Sequence, residues 1–175
     1  MMNKGVFAIV VMVFLLSCSR KQEHAISEAE IRETKEALVG ANRLLVQKDK
    51  EKIREYLEQH QLNLEETSSG LWYVVTDKGT GNKAEMNNRV TIAYEISLLD
   101  GTRCYDSDSL GLKQFVVGKG GVESGLEEGI LLLHEGSKAL FIMPPHLAHG
   151  VPGDGNRIPA RSVIVYQVEL LKVEP

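Results

Sequence analysis

The chain has 175 residues, with 20 Lys+Arg against 24 Asp+Glu, 43% apolar and 25% charged side chains, and two Cys. That composition suits a globular protein and excludes a disordered chain, a collagen, a disulfide scaffold and a polytopic membrane protein. The formal net charge of −4 argues against nucleic-acid binding, which needs a basic face to displace counterions from phosphate.

The chain opens with one cation, Lys4, followed by an unbroken apolar run from Val6 to Leu16. The run is too short to span a bilayer, which takes ~20 residues, and fits the core of an export signal. Leu15-Leu16-Ser17-Cys18 follows, and it resembles the bacterial lipobox, in which the cysteine is lipidated and becomes the mature N-terminus. The expectation is a signal peptide over 1–17 and a lipid-anchored tether over 18–26, with Cys18 as the lipidation site. Ser19, rather than Asp, follows that cysteine, which points to the outer membrane of the cell envelope, facing the periplasm. Cys104 is then left without an intrachain partner, and burial is expected for it.

Ser27 and Glu30 form a capping box. Ile31, Leu38 and Leu45 then recur every seven residues, which predicts an amphipathic helix of about five turns. The charged run Lys48–Lys52 predicts a bend or new start, and a second helix is expected to His60, with Ile53, Tyr56 and Leu57 on one side. Together these form a helical extension over 27–66. The heptad also allows a homodimer seam. Residues 67–85 hold a strand, Gly70–Thr76, and a linker. Val90, Ile92, Tyr94, Ile96 and Leu98 alternate with smaller or polar residues, the pattern of a half-buried strand, and Asp100-Gly101 ends it. Short strands are expected at Gln114–Val117, Ser137–Met143 and Ser162–Lys172. A capping box at Ser124 and Glu127 opens a helix to about Leu133. Several antiparallel strands with one short helix give an α+β domain.

The motifs then line up in order: Val90-x-Ile92-x-Tyr94, Asp100-Gly101, Tyr105-Asp106-Ser107, Phe115-x-x-Gly118, Val122-x-x-Gly125-Leu126-Glu127-Glu128-Gly129, Gly136-x-Lys138, Pro144, Leu147-Ala148-His149-Gly150, Ile158-Pro159 and Val168-Glu169-Leu170. Over about residues 86–173 this set resembles an FKBP-type peptidyl-prolyl isomerase domain. With the leader, the lipobox and Gly70-Leu71-Trp72-Tyr73, the whole chain resembles the gliding-motility-associated isomerase lipoproteins. The resemblance implies an FKBP-like antiparallel sheet wrapped around a short helix. It implies proline-containing polypeptides as substrates, no nucleic acid, and no cofactor or metal.

The resemblance also assigns roles. Tyr94, Phe115, Val122, Ile158 and Tyr166 match the pocket walls. Tyr105 and Asp106 match a Phe-Asp pair after the turn, with Cys104 as one extra residue before them. Glu123 holds the position whose backbone N–H donates to the substrate carbonyl. Leu126 stands where the family often has a Trp floor, and His149 where it often has a Tyr donor. Rotating a peptide bond crosses a barrier of ~18–20 kcal/mol. The twisted transition state has lost amide resonance and is less polar at the carbonyl, so a dry aromatic pocket favours it without nucleophile, metal or base. His146 and His149 lack a third ligand at a recognisable spacing for a metal. Three readings compete: an envelope prolyl isomerase that assists folding of exported proteins, an FKBP-fold chaperone or binding module with little catalysis, and a structural lipoprotein paired through its helices.

Overall fold

The computed structural model describes residues 27–175, so the export signal, Cys18 and the tether expected above lie outside the described residues. The described chain divides into two units, one ending at Gly40 and one spanning Ala41–Pro175. Helix α1 (Glu28–Gln59) contributes its first part to the former and its second part to the latter. In the first unit the capping box forms as the sequence predicts. Ser27 N–H and Oγ both donate to Glu30 Oε2, each at 2.9 Å, and Glu30 N–H returns a bond to Ser27 Oγ at 3.3 Å. Ile31 and Leu38 are exposed.

The expected bend at Lys48–Lys52 is absent, and α1 runs through it. Charged residues are adequate helix formers, and no Pro interrupts the run. The charges also find partners within the second unit. Asp49 turns inward to the Arg161 guanidinium at 2.7 Å, and Lys50 pairs with Glu66 at 2.6 Å above the Trp72 ring.

The second unit is built on one antiparallel sheet. Its strands are β1 (Glu65–Glu66), β2 (Trp72–Lys78), β3 (Arg89–Leu98), β4 (Arg103–Asp106), β5 (Lys113–Val116), β6 (Ser137–Met143) and β7 (Ile164–Glu174). The order is β1-β2-β6-β7-β3-β4, with β5 also pairing β3. Period-two alternation gives the sheet two buried faces. Ala139, Phe141 and Met143 of β6 and Tyr166, Val168 and Leu170 of β7 line the main core. Ile142 and Val165 point the other way and join Trp72, Ile53 and Leu57 in a second core. Burying Ile53 and Leu57 there stabilises the second half of α1 by about 1.5–3 kcal/mol per side chain.

The main core is closed by the short helix α3 (Ser124–Ile130), which follows the single-turn helix α2 (Ser107–Leu110) in the chain. Leu126 and Ile130 of α3 are fully buried against the sheet. Helix and sheet approach so closely that a Cβ on Gly129 would lie 2.6 Å from Phe141 Cζ. Gly129→Ala is therefore expected to cost about 1–3 kcal/mol through overpacking, read as a lowered urea midpoint at unchanged slope. An unchanged midpoint would mean that α3 does not rest on Phe141.

The capping box expected at Ser124 does not form. Glu123 takes the N-cap position and makes no side-chain cap bond. Ser124 Oγ donates instead to the Leu147 carbonyl at 3.4 Å. Glu127 Oε1 accepts from Gly118 N–H and Gly120 N–H at 3.2 and 3.0 Å, which ties the loop before α3 to the helix.

Candidate active site

β3 and β7 pair with Tyr94 opposite Val168 and Ile96 opposite Tyr166. This register brings the Tyr94 and Tyr166 rings together at a centroid distance of 5.8 Å and an angle of 38°. Tyr166 is fully buried and Tyr94 is half-buried. Burial, followed by the charges of Asp106 and Glu123, raises the Tyr94 phenol above its ordinary value. Burial, then Glu123 and Tyr94, raises the Tyr166 phenol further. Both stay neutral hydroxyls at physiological pH.

Leu126 and Ile158 are buried in the same core, and Val122 packs against it. Phe115 is buried there too, paired across from Val90. The residue of β5 that meets the two tyrosine rings is Lys113, two positions earlier on the same strand face. Its Nζ lies 4.8 Å from the Tyr94 ring centroid and 5.4 Å from that of Tyr166, and donates to the Tyr166 hydroxyl at 2.8 Å. Sequence reasoning missed Lys113, because a single lysine on a short strand reads as solvated. Its period-two phase with Phe115 was the available signal.

Glu123 holds its carboxylate within this group rather than in solvent, with a side chain 7% exposed. Its Oε2 is 3.7 Å from Lys113 Nζ, and its Oε1 is 3.2 Å from His149 Nε2. Those separations are within ion-pair range, yet among the described residues neither Glu123 Oε2 nor His149 Nε2 makes a hydrogen bond. The Glu123 backbone carbonyl accepts from Leu126 and Glu127 N–H, at 2.9 and 3.1 Å, and its own N–H has no partner among the described residues. The mouth of the site thus departs from the dry aromatic pocket that the sequence suggests. It carries an ammonium on the ring faces and a carboxylate and an imidazole beside it.

Tyr105 and Asp106 each have a defined structural partner. The β3–β4 register shifts between Ile96, opposite Tyr105, and Ser97, opposite Arg103, so Cys104 is the extra residue of a β-bulge. The bulge absorbs the insertion noted in the sequence. Cys104 is buried, and burial raises its thiol above the ordinary value, with Asp154 and Asp100 adding to the effect, so it is a poor nucleophile. Asp106 caps α2 through Ser109 N–H at 2.7 Å. Ser107 Oγ accepts from Tyr94 N–H at 3.2 Å.

Tyr105 donates a short bond from its hydroxyl to Asp154 on the loop between β6 and β7. Asp154 Oδ1 also accepts from Asn156 and Ile158 N–H, each at 2.8 Å. Gly153 is required in this turn. Its φ is +71°, and a Cβ there would meet the Ile158 carbonyl oxygen at 2.3 Å. The loop's far end is held by the Asp49–Arg161 pair and by Arg161 N–H donating to Gly150 O at 3.1 Å. His146 and His149 do not converge, since His146 Nε2 bonds Ser69 O at 2.9 Å while His149 faces Glu123. A cavity of about 710 Å³ lined by Tyr56, His60, Leu140 and Gln167 touches this site only through Tyr94 and residues 106–108.

An antiparallel sheet closed by a short helix defines an α+β domain. The family model for FKBP-type peptidyl-prolyl cis-trans isomerase matches residues 80–171. Fkbp12 of Drosophila melanogaster is 38% identical over 108 residues, covering 60% of this chain and 99% of that protein. FkpA of Aeromonas hydrophila is 40% identical over 108 residues, covering 62% of this chain and 40% of its own length. The crystal structure of FkpA from Escherichia coli superposes with a TM-score of 0.65 at 28% identity, over 99% of this chain and 83% of that one. The chain belongs to the FKBP-type peptidyl-prolyl cis-trans isomerase family. It spans less than half the length of the curated FkpA relatives it matches.

Proposed function

We propose that this protein is a peptidyl-prolyl cis-trans isomerase of the cell envelope that acts on proline-containing segments of exported proteins. The observation that carries this is the pairing of Tyr94 and Tyr166 above Leu126, with Val122, Ile158 and the Glu123 N–H around them. A prolyl ring seated on the two aromatic faces leaves its preceding carbonyl within the reach expected of the Glu123 N–H. Held there away from water, the amide loses less on twisting, because its planar form is the more polar one and gains less from such surroundings. Uncatalysed X–Pro rotation takes tens to hundreds of seconds, so even a modest lowering of the barrier matters during folding.

The envelope location rests on the export signal and lipobox read in the sequence, with Cys18 as the anchor. Refolding of a protein limited by one prolyl bond tests the activity. Catalytic amounts of this protein are expected to speed the slow phase and leave the fast phase unchanged. An unaltered slow phase would contradict the reading.

A second reading, an FKBP-fold chaperone or binding module with little catalysis, is favoured by the charged groups at the site mouth. A homodimer through the N-terminal helix belongs to either reading, since α1 exposes Ile31, Leu38, Leu44 and Val46. Sedimentation velocity of the full chain is expected to give a dimer, and Ile31→Glu with Leu38→Glu a monomer. A monomeric wild type would remove the dimer.

A further inference from the structure

We propose that Lys113 gates the prolyl site: its ammonium occupies the ring seat in the free protein and moves to Glu123 Oε2 when a proline enters. This rests on the isomerase reading for the identity of the seat. Two independent features of the site support it.

The first is the position of the ammonium. Lys113 Nζ lies over both ring faces, 4.8 and 5.4 Å from their centroids, and is held by the Tyr166 hydroxyl at 2.8 Å. These are the faces on which a prolyl ring would stack, so ligand and ammonium compete for one place. The second is the carboxylate beside it. Glu123 Oε2 is buried, with an ion-pair partner in range and no hydrogen bond among the described residues, an incompletely satisfied state for a buried acceptor. It stands 3.7 Å from Lys113 Nζ, about an ångström beyond a charge-assisted bond of roughly 2.7–2.9 Å. A turn of the lysine stem exchanges a cation–π contact and a hydroxyl bond for a bond to a carboxylate. In the proposed movement the stem swings the ammonium off the ring faces, and the ion pair that Glu123 Oε2 already has at 3.7 Å becomes a hydrogen bond. His149 Nε2, 3.2 Å from the other Glu123 oxygen and also without a bond, borders the place to which the ammonium moves.

The measured affinity for a prolyl peptide is then the intrinsic affinity reduced by the fraction of molecules with the seat uncovered. Lys113→Met keeps the stem and removes the ammonium. Because it also strands Glu123, Lys113→Met/Glu123→Gln is its companion, in which both charges are gone.

The test titrates a Leu-Pro tetrapeptide into the full chain in detergent, reading Kd by NMR and turnover by cis–trans exchange. Lys113→Met and the double variant are expected to bind roughly tenfold tighter than wild type, the size of the contacts no longer displaced. Glu123→Gln alone is expected to weaken binding severalfold, because the ammonium loses its alternative place. It should have no effect in the Lys113→Met background, whereas a merely structural role for Glu123 would weaken both. Unchanged or weaker binding by both Lys113 variants would overturn the gate, as would an equal Glu123→Gln effect in both backgrounds. Tighter binding with no turnover in any variant would leave the gate standing and remove the isomerase reading. Turnover by wild type with no tightening in the variants would do the reverse.

Discussion

Tyr166→Ala is expected to abolish measurable acceleration of X–Pro rotation and to lower stability by about 3–5 kcal/mol, the cost of truncating a buried aromatic side chain. The two effects share one origin. Tyr166 is fully buried near the start of β7, and its ring both fills the core and forms one wall of the proposed site. Tyr94→Ala separates them. That ring is half-buried, so its loss should cost less stability while reducing kcat/KM on the order of 100-fold through misplacement of the prolyl ring. Tyr166→Phe is the control. It keeps the wall and removes only the hydroxyl that accepts from Lys113. Turnover should survive in Tyr166→Phe and fail in Tyr94→Ala, read by kcat/KM alongside urea unfolding. Equal turnover in Tyr94→Ala and wild type would place the reaction elsewhere.

Asp49→Ala is expected to destabilise the second unit by about 3 kcal/mol, the low end for breaking a buried ion pair. The Asp49 side chain is 5% exposed, whereas that of Arg161 is 31% exposed and can recover part of its hydration when left alone. Arg161 has a backbone φ of +54°, a conformation that costs a residue with a side chain and persists where partners hold it. Its side chain is fixed by Asp49 and its N–H by the Gly150 carbonyl, so one residue joins α1 to the loop bearing His149 and Ile158. Losing Asp49 should therefore raise KM for prolyl peptides as well as lower Tm. Asp49→Asn keeps an acceptor and should lose less of both. If Asp49→Ala unfolds at the wild-type midpoint, the pair does not contribute to stability.

The residues that carried the fold in the sequence were those whose chemistry is local. Ser27 and Glu30 specify a helix start within four residues. The alternation from Val90 to Leu98 specifies a strand and which side chains enter the core. Alternating strands with one short helix pointed to the α+β class, and the ordered motifs carried the resemblance that implied the family. What stayed hidden depends on partners distant in the chain. Asp49 is one charge among five in a run, and only Arg161, 112 residues later, makes it a buried one. The same run looked like a helix break because its inward and outward members cannot be told apart without the sheet beneath. Cys104 looked like an insertion of unknown effect until pairing with β3 turned it into a bulge.

The sequence reading named apolar and aromatic walls for the proposed site and missed its electrostatic environment. Leu126, Ile158 and Tyr166 belong to the main core, Tyr94 and Val122 pack against it, and the Tyr94 and Tyr166 rings meet. Phe115 lies in the core nearby, while Lys113 meets the rings. Glu123 was valued for its backbone alone, yet its carboxylate lies inside the cluster. A charged side chain in a short strand has two opposite fates, and the strand's phase decides between them only when its neighbours across the sheet are known.

The most direct test of the isomerase assignment is exchange NMR on a Leu-Pro peptide with the protein at substoichiometric concentration. Exchange peaks between cis and trans proline resonances, present with wild type and absent with Tyr94→Ala, are the predicted result. Peptide binding seen as shifts at the Val122, Glu123 and Ile158 amides, with no exchange peaks for wild type, would contradict catalysis and leave a binding module.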